Sequence, residues 1–285
     1  MSIRCVILDF DGTFTDVDAE AEPFVEAYRK DLADLLGRDV DEAWEEAYAV
    51  VARSPHEYGW KEGGRIVAPA LADSYILSTV LGRLVLDRFG AAKDESLRSE
   101  ILQLFYKRGY PKTKHAFRPH AIDVIDALLA KLPERVFVVT NSNPDTVRGK
   151  LDVLSPGLSQ RLPVEGNARK FLLESLDPTE AGAEVFSSLP AERRVETLPG
   201  RPILVKRGFY FRILWSLLAR AGVTPDECLV CGDIYELDLA LPEAMGASVH
   251  LMTRPSTPGY ERDAVRELGS RGALGDDLRG ILERI

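Results

Sequence analysis

Four short apolar runs, each leading into small polar or acidic residues, constrain the fold of this 285-residue chain more than any other feature. They are rich in β-branched residues, and stretches with helical spacing separate them. Continuous apolar strands that alternate with helices are typical of a parallel sheet covered on both faces. We therefore predict an α/β core. The runs are IRCVILDF (3–10), RVFVVTNSN (135–143), DECLVCGD (226–233) and ASVHLMT (247–253).

Polar side chains follow three of these runs at the point where the strand is expected to end. They are Asp9, Thr140 and Asp233. Because ligands of open parallel sheets bind beyond the carboxyl ends of the strands, we expect these residues to meet at one crevice. Asp11 follows Asp9 by two positions, which places both on the same side of an extended chain. Two carboxylates that repel each other at the end of a buried strand indicate that a cation binds there.

The paired acids fit the chemistry of phosphate esters. A carboxylate can attack phosphorus and form an aspartyl-phosphate when cations neutralise the charges of both groups. Mg²⁺ needs few protein ligands for this, typically one or two carboxylates besides substrate oxygens and water. Asp9 and a distant acid such as Asp233 suffice as ligands, and of the pair Asp9 and Asp11 one can attack while the other transfers a proton. Gly12 lets the chain turn sharply out of the strand.

Two regions lie outside the strand pattern. Residues 17–116 have helical spacing, for example at Phe24, Tyr28 and Leu32, and predict an all-helical subdomain inserted in the core. The core then comprises residues 1–16 and 117–285. The second region, about 151–205, is rich in Pro, Gly and Ser and is interpreted as an irregular insertion, with strands suggested at RRVETL and RPILV.

The combination resembles the haloacid dehalogenase superfamily of phosphohydrolases, and four motifs match in the expected order. DFDGT (9–13), followed by Asp16, resembles the first motif, which implies that Asp9 is the nucleophile and Asp11 the general acid/base. VVTNS (138–142) resembles the second motif, which implies that Thr140 and its neighbour Asn141 bind the phosphoryl group.

The third and fourth motifs complete the resemblance. VKRG (205–208), just before a helix, is the best match to the third motif, whose lysine would be Lys206. Lys170, in GNARKF, is a rival, because 64 positions separate Ser142 from Lys206 where the family has a short loop. VCGDIYELD (230–238) resembles the fourth motif. It implies that Asp233 and Asp238 join the first-motif pair, Asp9 and Asp11, in the metal site.

The resemblance implies a Rossmann-like core and places the helical insert where the family has its C1 cap. It implies a Mg²⁺-dependent phosphatase acting on a small phosphorylated metabolite through an aspartyl-phosphate. Asp11 favours phosphate esters, since dehalogenases of this superfamily lack an acid at that position. Two alternatives stay open: a catalytically idle protein of the same fold that binds a phosphorylated ligand or a protein partner, and a phosphotransferase or mutase.

Composition excludes several other classes. A formal net charge of −9 argues against a broad nucleic-acid interface, which needs a clustered basic face. The apolar stretch from Ile66 to Phe89 contains charged residues that a bilayer span tolerates poorly, so no membrane segment is expected. The N-terminus lacks the pattern of a signal peptide. Three cysteines suit a reducing compartment, and we expect a cytoplasmic protein.

Overall fold

The computed structural model describes residues 2–285. Its strands are, in chain order, β1 (Cys5–Leu8), β2 (Gly59–Glu62), β3 (Arg65–Pro69), β4 (Val136–Val139), β5 (Val164–Glu165), β6 (Glu192–Arg193), β7 (Ile203–Leu204), β8 (Cys228–Gly232), β9 (Ser248–Met252) and β10 (Gly272–Gly275). Its α-helices are α1 (Val17–Leu36), α2 (Asp41–Arg53), α3 (Ser74–Arg88), α4 (Glu95–Gly109), α5 (Ala121–Lys131), α6 (Pro144–Leu154), α7 (Leu158–Arg161), α8 (Ala183–Ser188), α9 (Gly208–Ala221), α10 (Ala240–Ala244), α11 (Gly259–Arg266) and α12 (Arg279–Leu282). A π-helical turn covers Tyr235–Leu239.

The chain forms two compact units. One comprises the residues up to Asp16 together with Phe117–Ile285, and the other comprises Val17–Ala116. Within residues 2–285, no helix is both long enough and apolar enough to cross a membrane.

The first unit is built on a six-stranded parallel sheet with the order β10-β9-β8-β1-β4-β5. When these six strands are numbered by themselves, the order is that of the Rossmann fold. The predicted Rossmann-like parallel core is therefore confirmed. The strand order reverses between β1 and β8, so a ligand crevice is expected at the carboxyl ends of these two strands.

Alternate residues of β1 pack on opposite faces of the sheet. Cys5 and Ile7 belong to an apolar core that includes residues of α8, α9 and α11. Val6 and Leu8 belong to a second core with residues of α5, α6 and α12. Because both faces are covered, every β1 side chain is buried and the strand is apolar throughout.

The sheet has two edge strands that the sequence pattern did not indicate. β5 has two residues, and β10 consists of Gly272–Gly275, partly exposed, so neither shows a long apolar run. The region predicted as an irregular insertion from about 151 begins with the end of α6, α7 and β5. Of the two strands suggested at its end, RPILV contains β7, whereas RRVETL overlaps β6 only at Arg193. β6 and β7 form a short antiparallel hairpin.

The second unit is helical except for one hairpin, so the prediction of an all-helical subdomain over residues 17–116 is wrong at this place. α1 to α4 pack around an aromatic core that contains Phe24, Tyr28 and Trp44. β2 and β3 pair antiparallel, and the two glycines between them, Gly63 and Gly64, have φ of 54° and 79°. Positive φ at both central residues is what a two-residue hairpin turn of type I′ requires. The glycine pair therefore joins two strands.

Candidate active site

The carboxyl ends of β1 and β8 bring the predicted acids together. Asp9 follows β1, and its backbone N–H donates to the Cys231 carbonyl of β8 over 2.8 Å. Asp233 directly follows β8. Gly12 turns the chain with φ +81°, and a Cβ at this position would lie 2.1 Å from Asp233 Oδ2. Glycine at position 12 therefore permits both the turn and the close approach of Asp233.

Asp9 forms a buried ion pair with Lys170. Lys170 Nζ lies 2.8 Å from Asp9 Oδ1 and 2.8 Å from Asp238 Oδ1, and the lysine side chain is 1% exposed. Thr13 Oγ1 donates to Asp9 Oδ2 over 3.3 Å. Burial alone would lower the pKa of Lys170, but the Asp238 and Asp9 carboxylates outweigh this effect and raise it. Lys170 is therefore a cation at neutral pH, shared by two carboxylates.

Asp9, Asp233 and Asp238 form a cluster of buried carboxylates, each with one oxygen within 4.8 Å of the others. Burial raises the pKa of Asp9 to about 7, although Lys170 opposes the rise. Burial also raises the pKa of Asp233 well above its usual range, with Arg254 Nη2 opposing it from 3.3 Å. Two contacting cations, Lys170 and Arg254, serve these three carboxylates, and three such oxygen donors fit a hard divalent cation such as Mg²⁺.

Asp11 is held by a different set of partners from Asp9. Ser142 Oγ donates to Asp11 Oδ2 over 2.6 Å, and Thr140 Oγ1 donates to the same oxygen over 3.4 Å. Lys150 Nζ of α6 lies 3.0 Å from Asp11 Oδ1. The Asp11 side chain is 29% exposed, against 9% for Asp9. Asp11 thus faces β4 and α6 and is not part of the three-carboxylate cluster.

Solved structures share this architecture, although the sequence matches no protein-family model and no curated protein. A predicted phosphoglycolate phosphatase of Haemophilus somnus 129pt is 14% identical, with 99% of this chain and 98% of that chain covered and a TM-score of 0.54. A "putative beta-phosphoglucomutase" of Thermotoga maritima is 14% identical over the whole of both chains, with a TM-score of 0.52. This chain has the haloacid dehalogenase fold. At such identities the likeness shows the fold alone.

The segment that resembles the fourth motif is shaped by the π-helical turn. Ile234 N–H donates to Asp238 Oδ2 over 3.0 Å, while Tyr210 OH donates to the Asp238 carbonyl over 2.9 Å. A Cβ at Gly232 would lie 2.4 Å from Asp238 Cβ. π-helical turns are rare and occur frequently at functional sites. In this chain the turn brings Asp238 back towards Asp233.

The structure does not bring Lys206, the lysine favoured from the sequence, to the cluster of Asp9, Asp233 and Asp238. Lys206 is partly exposed at the surface, and its Nζ donates to the Ser187 carbonyl over 2.8 Å. Its rival Lys170 lies beside Asp9 instead. The preference for Lys206 is therefore wrong as to position. The next residue, Arg207, takes the inward direction and is fully buried.

Thr140 and Asn141, the second-motif residues expected to bind a phosphoryl group, lie near the site and bond other residues of it. Thr140 is buried and donates to Asp11. Asn141 Oδ1 accepts the backbone N–H of Lys170 over 2.7 Å. Asn141 therefore fixes the loop that carries the lysine. Asp16, which completes the first motif, is exposed.

Three charged or polar residues at the site were not predicted. Ser142 is part of the second motif, but no role was predicted for it. Lys150 lies in α6, the helix that follows this motif. Arg254 follows β9 and contacts Asp233. The sequence signal that could have located Arg254 is its place after the fourth apolar run, at the same edge of the sheet as Asp233. Nothing comparable marks Lys150, whose position depends on the packing of α6.

Proposed function

We propose that this protein is a Mg²⁺-dependent phosphatase that hydrolyses a small phosphomonoester through an aspartyl-phosphate on Asp9. The observation that carries the proposal is the pair of first-motif acids in two different environments. Asp9 is buried with Lys170 and two further carboxylates, whereas Asp11 is more exposed and bonded to hydroxyl and ammonium groups. Environments that differ in this way separate a nucleophile from a group that transfers protons.

In the first step a carboxylate oxygen of Asp9 attacks phosphorus. The bond between phosphorus and the ester oxygen breaks, and Asp11, in its acid form, gives its proton to the leaving oxygen. Lys170 neutralises charge on Asp9 as the phosphoryl group arrives, because its ammonium group already bonds Asp9. The product is an aspartyl-phosphate and a free alcohol.

In the second step water attacks the phosphorus of the aspartyl-phosphate. Asp11 takes a proton from this water, and the bond between phosphorus and Asp9 breaks to release inorganic phosphate. The carboxylates of Asp9, Asp233 and Asp238 would hold Mg²⁺. When bound, the ion supplies positive charge that offsets these carboxylates and the phosphoryl oxygens. The proposal gives Asp11 proton transfer and leaves its side chain out of the metal ligands expected from the sequence.

Turnover of p-nitrophenyl phosphate by the purified protein, with Mg²⁺ and then with EDTA, tests this proposal. We expect hydrolysis that EDTA stops and added Mg²⁺ restores. A single turnover in H₂¹⁸O is expected to place ¹⁸O in the released phosphate and none in Asp9, because water attacks phosphorus.

The outcomes separate the alternative functions. No turnover with any of a panel of phosphorylated metabolites would favour the idle binding protein. Phosphate that appears on an acceptor molecule, with little inorganic phosphate, would identify a phosphotransferase or mutase. Hydrolysis that persists without metal would contradict the role given to Asp233 and Asp238.

A further inference from the structure

Residues 171–207 connect Lys170 to α9 and contain α8 and the β6–β7 hairpin. The proposed mechanism uses none of these residues. Two of their arginines nevertheless reach the elements that carry the site. One contacts the backbone of Lys170, and the other contacts the π-helical turn that contains Asp238.

Arg207 bonds the backbone of the lysine. Its side chain is fully buried, and Nη1 donates to the Lys170 carbonyl over 2.7 Å while Nε donates to the Leu204 carbonyl over 3.2 Å. On the other side, the Lys170 N–H donates to Asn141 Oδ1. Both backbone polar groups of Lys170 therefore have fixed partners.

The loop before Lys170 needs such support. Asn167 and Arg169 have φ of 51° and 44°, a left-handed conformation that is uncommon for residues other than glycine. Residues in this conformation persist where the surrounding structure determines them. The hydrogen bond from Arg207 to the Lys170 carbonyl helps to hold the chain in this conformation directly after Arg169.

Arg201 bonds the π-helical turn, which contains Asp238 and begins two residues after Asp233. Its Nη1 and Nη2 lie 2.8 and 2.6 Å from Glu236 Oε2 and Oε1, and the Glu236 side chain is fully buried. Tyr260 OH donates to Glu236 Oε1 over 2.5 Å. The Glu236 N–H donates to Glu261 Oε1 over 3.3 Å. Backbone and side chain of Glu236 are thus both fixed, midway between Asp233 and Asp238 in sequence.

We propose that residues 171–207 are a positioning segment of the active site, in which Arg207 orients Lys170 and Arg201 orients the π-helical turn, which contains Asp238 and follows Asp233. This inference rests on the proposed function for the roles of Lys170 and the acids. Arg201 and Glu236 form a buried ion pair, and replacing such a pair by apolar residues of similar volume is often neutral or stabilising, so this pair is better explained by geometry than by stability. Arg207 is fully buried and donates to two backbone carbonyls, one of which belongs to Lys170 itself.

Arg207→Met and Arg201→Met test the proposal, with Arg212→Met as the matched control. Arg212 bonds Glu174 and Glu180 of the same segment and contacts none of the site residues named above. All variants are assayed at a temperature where circular dichroism shows them folded. We expect kcat of Arg207→Met to fall about 100-fold, the cost of a misplacement near 1 Å. Arg207→Lys, which keeps one donor for the Lys170 carbonyl, is expected to recover part of this loss.

A readout without turnover distinguishes the two arginines. We expect Arg201→Met to weaken Mg²⁺ binding, measured by calorimetry, about 10-fold or more, as for other residues that orient metal ligands. Arg207→Met is expected to bind Mg²⁺ like the control. If the segment had only a structural role, both variants would lose stability, and their Mg²⁺ affinities would not differ.

Amide hydrogen exchange separates failure of this inference from failure of the proposed function. In the folded state, exchange at Lys170 is expected to rise in Arg207→Met and exchange at Glu236 in Arg201→Met. If the wild-type protein shows no turnover but these changes occur, the positioning stands and the phosphatase proposal fails. If Arg207→Met and Arg201→Met match Arg212→Met in exchange, Mg²⁺ affinity and kcat, the positioning segment is wrong.

Discussion

Two clusters of buried acids meet at the π-helical turn, and they are compensated in different ways. The site cluster consists of Asp9, Asp233 and Asp238, with Lys170 as the cation bonded to two of them. The Glu236 cluster consists of Glu236 and Glu261 with Arg201 and Tyr260. In the first, the carboxylates outnumber the contacting cations of Lys170 and Arg254. In the second, Arg201 bonds both oxygens of Glu236.

The difference shows what each cluster requires from outside the chain. Burial raises the pKa values of Asp9 and Asp233, so the site cluster is costly to ionise fully until a cation joins it. The Glu236 ion pair has its cation built in. Removing an acid should therefore affect turnover in the site cluster and stability in the Glu236 cluster.

The largest contrast is expected between Asp9→Asn and Glu236→Gln. Asp9→Asn removes the nucleophile and is expected to lower kcat about 10⁴-fold or more, as for other essential nucleophiles. Its stability should equal or exceed that of the wild type, because one of three repelling charges is lost and Lys170 still bonds Asp238. Enzyme assays and thermal denaturation of the same preparation measure both.

Glu236→Gln should show the reverse pattern. It leaves Arg201, whose side chain is 11% exposed, without its carboxylate, and the free energy of unfolding is expected to fall by about 3 kcal/mol. At a temperature where it is folded, its kcat should fall about 10-fold through loss of positioning. Equal stability losses in both variants would show that the two clusters are compensated alike.

The next contrast separates the two lysines. Lys170→Met removes the cation that bonds Asp9 and is expected to lower kcat about 10³-fold, the effect of losing one preorganised electrostatic contact. Lys206→Met removes a bond to the Ser187 carbonyl at the surface, and kcat should stay within about twofold of the wild type. Kinetics with p-nitrophenyl phosphate measure both. A large loss in Lys206→Met with none in Lys170→Met would restore the assignment made from the sequence.

The central strands and the acids at their ends could be predicted from the sequence, because their signals are local. A buried strand such as β1 must be apolar throughout, and Asp9 follows it directly. The edge strand β5 is too short for such a pattern. The hairpin in residues 17–116 turns at Gly63 and Gly64, which both have positive φ. A pair of glycines in the sequence does not by itself distinguish a hairpin from a turn between helices.

The lysine could not be located from the sequence because long-range contacts place it. Lys206 precedes α9 as expected, but neighbouring residues of an extended segment point in opposite directions. Packing turns Arg207 inward and Lys206 outward. Lys170 reaches Asp9 from a loop in which Asn167 and Arg169 have positive φ. Asn141 and Arg207 bond the backbone of Lys170, and no local pattern in GNARKF indicates these partners.

The smallest expected effect is a pH dependence of stability that belongs to the Glu236 cluster. Glu261 Oε1 accepts the Glu236 N–H, while Oε2 has no hydrogen-bond partner among the residues described. Burial raises the pKa of Glu261 from 4.5 to about 8, and the nearby Glu236 adds to the rise. The folded state therefore binds a proton more tightly than the unfolded state does. Its contribution is fully present below pH 4.5 and is lost as the pH rises towards 8.

Glu261→Gln removes this titration. We expect the unfolding free energy of the variant, relative to that of the wild type, to rise by about 2 kcal/mol from roughly pH 5 to pH 7. Urea denaturation of both proteins across this range measures the difference, in which groups common to both cancel. A difference that is constant with pH would show that Glu261 is ionised in the folded protein. The Glu236 cluster would then carry uncompensated negative charge, as the site cluster does, and the contrast between the two clusters would fail.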